Sequence, residues 1–215
     1  MIDPRLQNRR IRASRGASAP ELLLVLLFIG LIVTVAVAAW KNTSRAGEAQ
    51  ATARTVAGFL NQTRMFAVYR AMNHFLVIDP DQRSVSIFED NGTTKGKFDN
   101  ADTRVRRETW PSSVRLAMPA AFSSLPDPLG GGTSLTSAWS LPLPDSTARW
   151  GTTLTGLMVV PNGRIQSAES SPQTISSGAM IFSDNSSQIA SVGVRGQFGA
   201  VIGYQRINSA WKDLR

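Results

Sequence analysis

The sequence predicts an α+β protein in which one long N-terminal helix leads into an antiparallel β-sheet domain. Three observations predict it. Residues Leu22–Trp40 form an uncharged run of 19 residues. Apolar and small residues then recur at helical spacing as far as Ala71. From His74 onward the pattern changes to short β-compatible segments separated by turn residues.

The first 16 residues are a basic leader, with Arg5, Arg9, Arg10, Arg12 and Arg15 against the single acid Asp3. The run that follows opens Leu22-Leu23-Leu24-Val25-Leu26-Leu27-Phe28-Ile29. A helix of that run's length covers roughly 28 Å, close to the hydrocarbon thickness of a bilayer. The positive-inside bias keeps residues 1–16 in the cytoplasm and sends the rest across. Trp40 and Lys41 then reach the far interface, where an amphipathic aromatic ring and a snorkelling lysine are at home. Residues 17–40 are thus expected to be the transmembrane half of the helix.

Glu21 stands at the mouth of this run. A carboxylate there is costly, and intramembrane acids usually serve a function. A local reading also exists. Ser18-Ala19-Pro20-Glu21 fits a capping box, with Ser18 as N-cap and Pro20 in the first turn. The helix dipole favours an acid at that end.

Residues 41–73 are read as the amphipathic half of the same helix. Residues 41–72 hold no proline, and their only glycines are Gly47 and Gly58. Ala49, Ala53, Val56, Leu60, Ala67 and Ala71 keep the spacing of one helical face. Arg45, Glu48, Gln50, Arg54, Gln62 and Arg70 lie mostly elsewhere around the axis. The spacing predicts one helix from about Pro20 to about Met72, roughly 80 Å long.

Residues 74–215 read as the β-rich domain. Strands are expected at 74–78, 84–88, 104–109, 114–118, 154–160, 179–182, 189–194 and 200–206. Asp79-Pro80-Asp81, Asp90-Asn91-Gly92 and Asn162-Gly163 supply turn chemistry between them. Residues 119–152, rich in proline, glycine and serine, predict a long surface excursion.

The segment Arg15-Gly16-Ala17-Ser18-Ala19-Pro20-Glu21-Leu22-Leu23 resembles the class III signal of type IV pilins and type II secretion pseudopilins. The resemblance implies that a prepilin peptidase cuts between Gly16 and Ala17, that Ala17 becomes N-methylated, and that Glu21 is the fifth mature residue. The chain departs from the family pattern at Ala17, where a large apolar residue is usual, and at Pro20, where an aliphatic is usual. The helix end from Ala53 to Arg70, followed later by Val159-Val160-Pro161-Asn162-Gly163-Arg164-Ile165, is similar in order to H-type pseudopilins and related minor pilins. This implies a pilin-like fold and a minor structural subunit, with no enzymatic activity and no cofactor. Implied partners are the prepilin peptidase, other pilin or pseudopilin subunits, an inner-membrane assembly platform and the lipid bilayer. The implied location is the bacterial inner membrane, crossed once, with the β-domain in the periplasm before entry into a fibre. Glu21 would serve assembly by neutralising a neighbour's N-terminal ammonium.

Two alternatives stand beside this. One is a type IV minor pilin for DNA uptake or adhesion. The other is a Sec-exported periplasmic domain, with the arginines as n-region and Ala36-Val37-Ala38 as the cleavage site near Ala38. Against the latter, the run exceeds the usual h-region of roughly 7–15 residues, and Glu21 interrupts its start.

Charge and composition bound the remaining functions. The chain carries 23 basic and 15 acidic residues, a net +8. Loss of the leader leaves 18 and 14, a net +4, so half of the basicity belongs to residues 1–16. Zero cysteines leave the exported domain without a disulfide, so its core alone must hold it. No metal-ligand spacing, phosphate loop or nucleophile motif is present. The lone histidine, His74, opens an apolar strand and reads as a packed or edge histidine rather than a general base. Asp79/Asp81 and Asp99/Asp102 read as turn residues rather than calcium ligands. Arg104, Arg106 and Arg107 are the compact basic cluster. They are candidate nucleic-acid contacts, but a charged strand edge is favoured because no aromatics interleave them.

Overall fold

The computed structural model describes residues 18–99, 101–119, 121–130, 134–138, 154–166, 175, 177–184, 188–196, 200–207 and 209–214, with the backbone alone at 41–46 and 207. The chain divides into two compact units between Lys41 and Asn42.

Helix α1 spans Ala19–Ala46. The Leu22 N–H donates to the Ser18 carbonyl at 3.1 Å, which makes Ser18 the residue that opens the helix. Thr34, the one hydroxyl in the apolar run, donates to the Gly30 carbonyl at 2.7 Å and so needs no outside partner.

Helix α2 spans Glu48–Arg70. The expected single helix is therefore divided at Gly47. Glycine is the weakest helix former after proline, because fixing its backbone costs the most entropy. At the other end Ala71 takes a left-handed conformation (φ 52°, ψ 35°), and its N–H reaches the Val68 carbonyl at 3.4 Å. This turn takes Ala71 out of the helix, so it is exposed and not on the buried face as its spacing suggested. The other face residues (Ala49, Ala53, Val56, Leu60 and Ala67) are fully buried.

Twelve strands follow among the described residues: β1 His74–Asp79, β2 Ser84–Glu89, β3 Thr103–Thr109, β4 Val114–Leu116, β5 Leu125–Pro126, β6 Ser134–Leu135, β7 Thr155–Val159, β8 Ile165–Gln166, β9 Ser177–Asp184, β10 Ile189–Arg195, β11 Ala200–Ile207 and β12 Ala210–Asp213. They form a five-stranded sheet in the order β3-β2-β1-β7-β8, a second in the order β12-β11-β10-β9-β4, and the small pair β5-β6. The assigned pairs are antiparallel, as expected for short, turn-connected strands. The architecture is α+β, as the sequence predicts.

Helix α2 fills the space between the two large sheets. Leu60 and its face packs with Leu76, Ile78 and Ile87 of the first sheet and with Phe182, Val192 and Val194 of the second. The opposite face of the first sheet is buried too, by Phe75, Val77, Phe88, Phe98, Leu154 and Met158. Burial on both faces explains why β1 reads as a continuous apolar run and not as an alternation.

The expected 119–152 excursion is partly structured. Its β5-β6 pair lies on the outer face of the second sheet, where Leu125 packs with Ile181 and Ile189. Trp211 Nε1 donates to the Pro126 carbonyl at 2.7 Å. Residues 139–152 lie outside the described residues.

Candidate membrane segment and strand-edge arginines

Gly16 and Ala17, the expected processing residues, lie outside the described residues. Glu21 lies in the first turn of α1. An acid in the first turn is favoured by the helix dipole.

Helix α1 is long and apolar enough over Ala19–Trp40 to cross a membrane. The large apolar side chains from Leu22 to Val37 are 47–68% exposed, and Trp40 is 79% exposed. Leu22, Leu23, Leu24, Val25, Leu26, Leu27, Phe28 and Ile29 are thus accessible together, on all sides of the helix. Such a surface needs lipid or other apolar helices around it.

His74 is fully buried. Its Nδ1 lies 3.1 Å from the Met72 carbonyl, and its ring stacks on Phe66 with centroids 6.0 Å apart. Its Nε2 lies 3.9 Å from Glu89 Oε1, and Glu89 also pairs with Arg70. Burial holds its pKa below the ordinary 6.5, with Arg70 acting in the same direction, while the Met72 carbonyl and Asp90 oppose the shift. The folded domain therefore disfavours protonation of the ring relative to the unfolded chain, which takes up a proton near pH 6.5. Stability should be complete above that pH and fall as pH drops towards the lowered folded value, by at most about 1.4 kcal/mol per pH unit. Urea midpoints measured from pH 7.5 down to pH 5 check this. His74→Phe should flatten the slope in that window, and an unchanged slope would place its origin elsewhere.

The acids between β2 and β3 behave as turn residues. Asp102 Oδ1 accepts from Gly92 N at 2.9 Å, and its Oδ2 accepts from Asp99 N at 2.7 Å. Asp99 accepts from Thr93 Oγ1 at 2.8 Å and Ala101 N at 2.9 Å. Asp79 accepts from Gln82 N at 2.9 Å in the β1–β2 turn. Burial raises the Asp102 pKa above the ordinary 3.8. Among the described residues no group of three or more acids or histidines is placed to hold a metal ion.

The three arginines lie on β3, an edge strand of the first sheet, but not on one surface. Arg104 is opposite Phe88, Arg106 opposite Ile87 and Arg107 opposite Ser86, because the register shifts between Ile87 and Phe88. The extra residue is Val105, which packs towards the core. This bulge sends Arg106 to the α2 side, where it donates to Gln62 Oε1 at 2.6 Å and lies 4.8 Å from the Phe59 ring centre. Arg104 and Arg107 share the other face. Simple alternation would have paired Arg104 with Arg106, so sequence reasoning missed the grouping.

Two solved structures of the minor pseudopilin EpsH from the type II secretion system of Vibrio cholerae are similar to this chain. They are 13% and 16% identical to it, cover 78% of it and 96% and 93% of their own chains, and superpose with a TM-score of 0.38 each. No protein-family model matches the chain, and no curated protein sequence matches it.

Proposed function

We propose that this chain is a minor pseudopilin or pilin-like structural subunit. In this reading a prepilin peptidase processes it, and its N-terminal helix carries it into a type II secretion or type IV pilus-like fibre. The observation that carries the reading is helix α1, apolar and exposed from Leu22 to Trp40, with Glu21 in its first turn and a second, α+β unit after it. Before assembly the run sits in the inner membrane with the β-domain in the periplasm. In the fibre the same side chains pack on neighbouring helices.

Glu21 supplies the ordering step. Once the leader is removed, the ammonium at residue 17 and the carboxylate at Glu21 both enter an apolar surround. Each is strongly penalised alone and far less as a pair. A new subunit is accepted where its charge meets the opposite charge of a neighbour.

The Sec-export alternative requires release near Ala38. That site lies within α1, which spans Ala19–Ala46.

Two measurements test the proposal. Co-expressed with a prepilin peptidase, the chain should lose residues 1–16 and begin at Ala17, and Gly16→Val should block cleavage. A mature mass beginning at Ala39 overturns the reading. Glu21→Gln should still insert and still be cleaved, yet be absent from sheared fibre fractions. Glutamine completes a capping box equally well, so a merely local role predicts normal incorporation.

A further inference from the structure

We propose that the outer edge of β3, unpaired among the described residues, accepts an added strand from an acidic partner polypeptide, with one of its carboxylates held by Arg104 and Arg107. The site lies wholly within residues 42–215 and holds whether or not the chain enters a fibre.

Three observations converge on it. First, β3 is an edge, and among the described residues its strand partner is β2 alone. An edge presents a row of unpaired N–H and C=O groups that an extended peptide can satisfy. Second, the Val105 bulge brings Arg104 and Arg107 onto one face, opposite Phe88 and Ser86. These positions are two ladder steps apart, roughly 7 Å, so both guanidinium groups can reach one carboxylate. Third, the two arginines reach over the same face of the sheet to line a hollow of ≈ 220 Å³ with Ser84, Ser86 and Phe88 of the neighbouring strand β2. Asp79, an acid in the same lining, already accepts from Gln82 N at 2.9 Å.

The chemistry of the hollow selects its occupant. Guanidinium groups form paired hydrogen bonds with carboxylates. Phe88 and Phe98 pack edge to face on each other at 5.0 Å and are nearly fully buried, so they offer no platform for stacking bases. A second copy of the chain fits poorly, since β3 against β3 would set arginines among arginines. The charges that discourage self-pairing at this edge therefore also choose the partner.

The test uses the full chain in detergent micelles and a fluorescein-labelled octapeptide of alternating glutamate and valine, followed by fluorescence anisotropy. Saturable binding is expected, weakened about tenfold or more by Arg104→Ala with Arg107→Ala. Arg115→Ala, an exposed arginine on β4 of the other sheet, should leave binding unchanged. The same peptide with all backbone amides methylated keeps its charge but cannot pair with a strand edge, and should bind at least about tenfold more weakly. Equal binding of the methylated peptide overturns strand addition. Equal competition by a single-stranded DNA octamer overturns the choice of a polypeptide. Binding that survives the double variant overturns the assignment of the arginines, provided circular dichroism shows the variant folded.

Discussion

Leu60→Asp should leave residues 42–215 unfolded at room temperature. Leu60 is fully buried in α2, within the cluster that joins the helix to both large sheets. Losing the leucine alone costs about 2–5 kcal/mol, as Leu60→Ala would show. An aspartate there adds an uncompensated buried charge, worth several kcal/mol more unless it is protonated. A domain of this size has only about 5–15 kcal/mol of total stability, so the sum removes most or all of it. Circular dichroism of a chain truncated to residues 42–215 checks this. Wild type should melt cooperatively, Leu60→Ala at lower temperature, and Leu60→Asp should show no transition. A wild-type melt for Leu60→Asp would put Leu60 outside the core.

Gly156→Ala should destabilise the domain by about 2–4 kcal/mol. Gly156 pairs with Val77 across the β1–β7 ladder. A Cβ added there would lie 2.5 Å from the Leu76 carbonyl oxygen and 3.3 Å from Val77 Cα. Both are backbone atoms of a central strand, so neither can swing aside, and the two strands must part. Alanine also stiffens the unfolded chain, which favours folding by about 0.4–1 kcal/mol, but the clash outweighs that term. Gly58→Ala isolates the favourable term. Nothing lies within 4 Å of its added Cβ inside α2. That variant should gain about 0.5–1 kcal/mol. Urea unfolding of the two variants should therefore shift the midpoint in opposite directions.

The long elements were legible because one strong pattern specified each. Strands β1 and β2 were placed to within a residue by apolar runs bounded by Asp79-Pro80-Asp81 and Asp90-Asn91-Gly92. Strands β5, β6, β8 and β12 were missed. Strands β5, β6 and β8 have two residues each, too few to carry a periodicity, and the four of β12 include Lys212 and Asp213, so these strands form where a neighbour supplies the ladder. Thr52 and Thr63 were not foreseen on the buried face of α2 because their type is polar. Each satisfies its hydroxyl inside its own helix, on Glu48 O at 2.9 Å and Phe59 O at 2.7 Å, and so is cheap to bury. In the candidate site, Glu21 and the apolar run were legible because charge and length announce them. The pairing of Arg104 with Arg107 was not, since a bulge is a property of two strands together.

That bulge bears on how the chain tolerates gain and loss of residues. Arg104, Arg106 and Arg107 face Phe88, Ile87 and Ser86 in unbroken succession, with Val105 as the supernumerary residue. Excision of Val105 would leave a regular ladder with each arginine still on its present side. The same excision within β1, between two partners, would invert every side chain from that point to the strand's end. Position 105 is thus a place where, among the described residues of this sheet, the loss of one residue leaves the side-chain orientation of the strand unchanged.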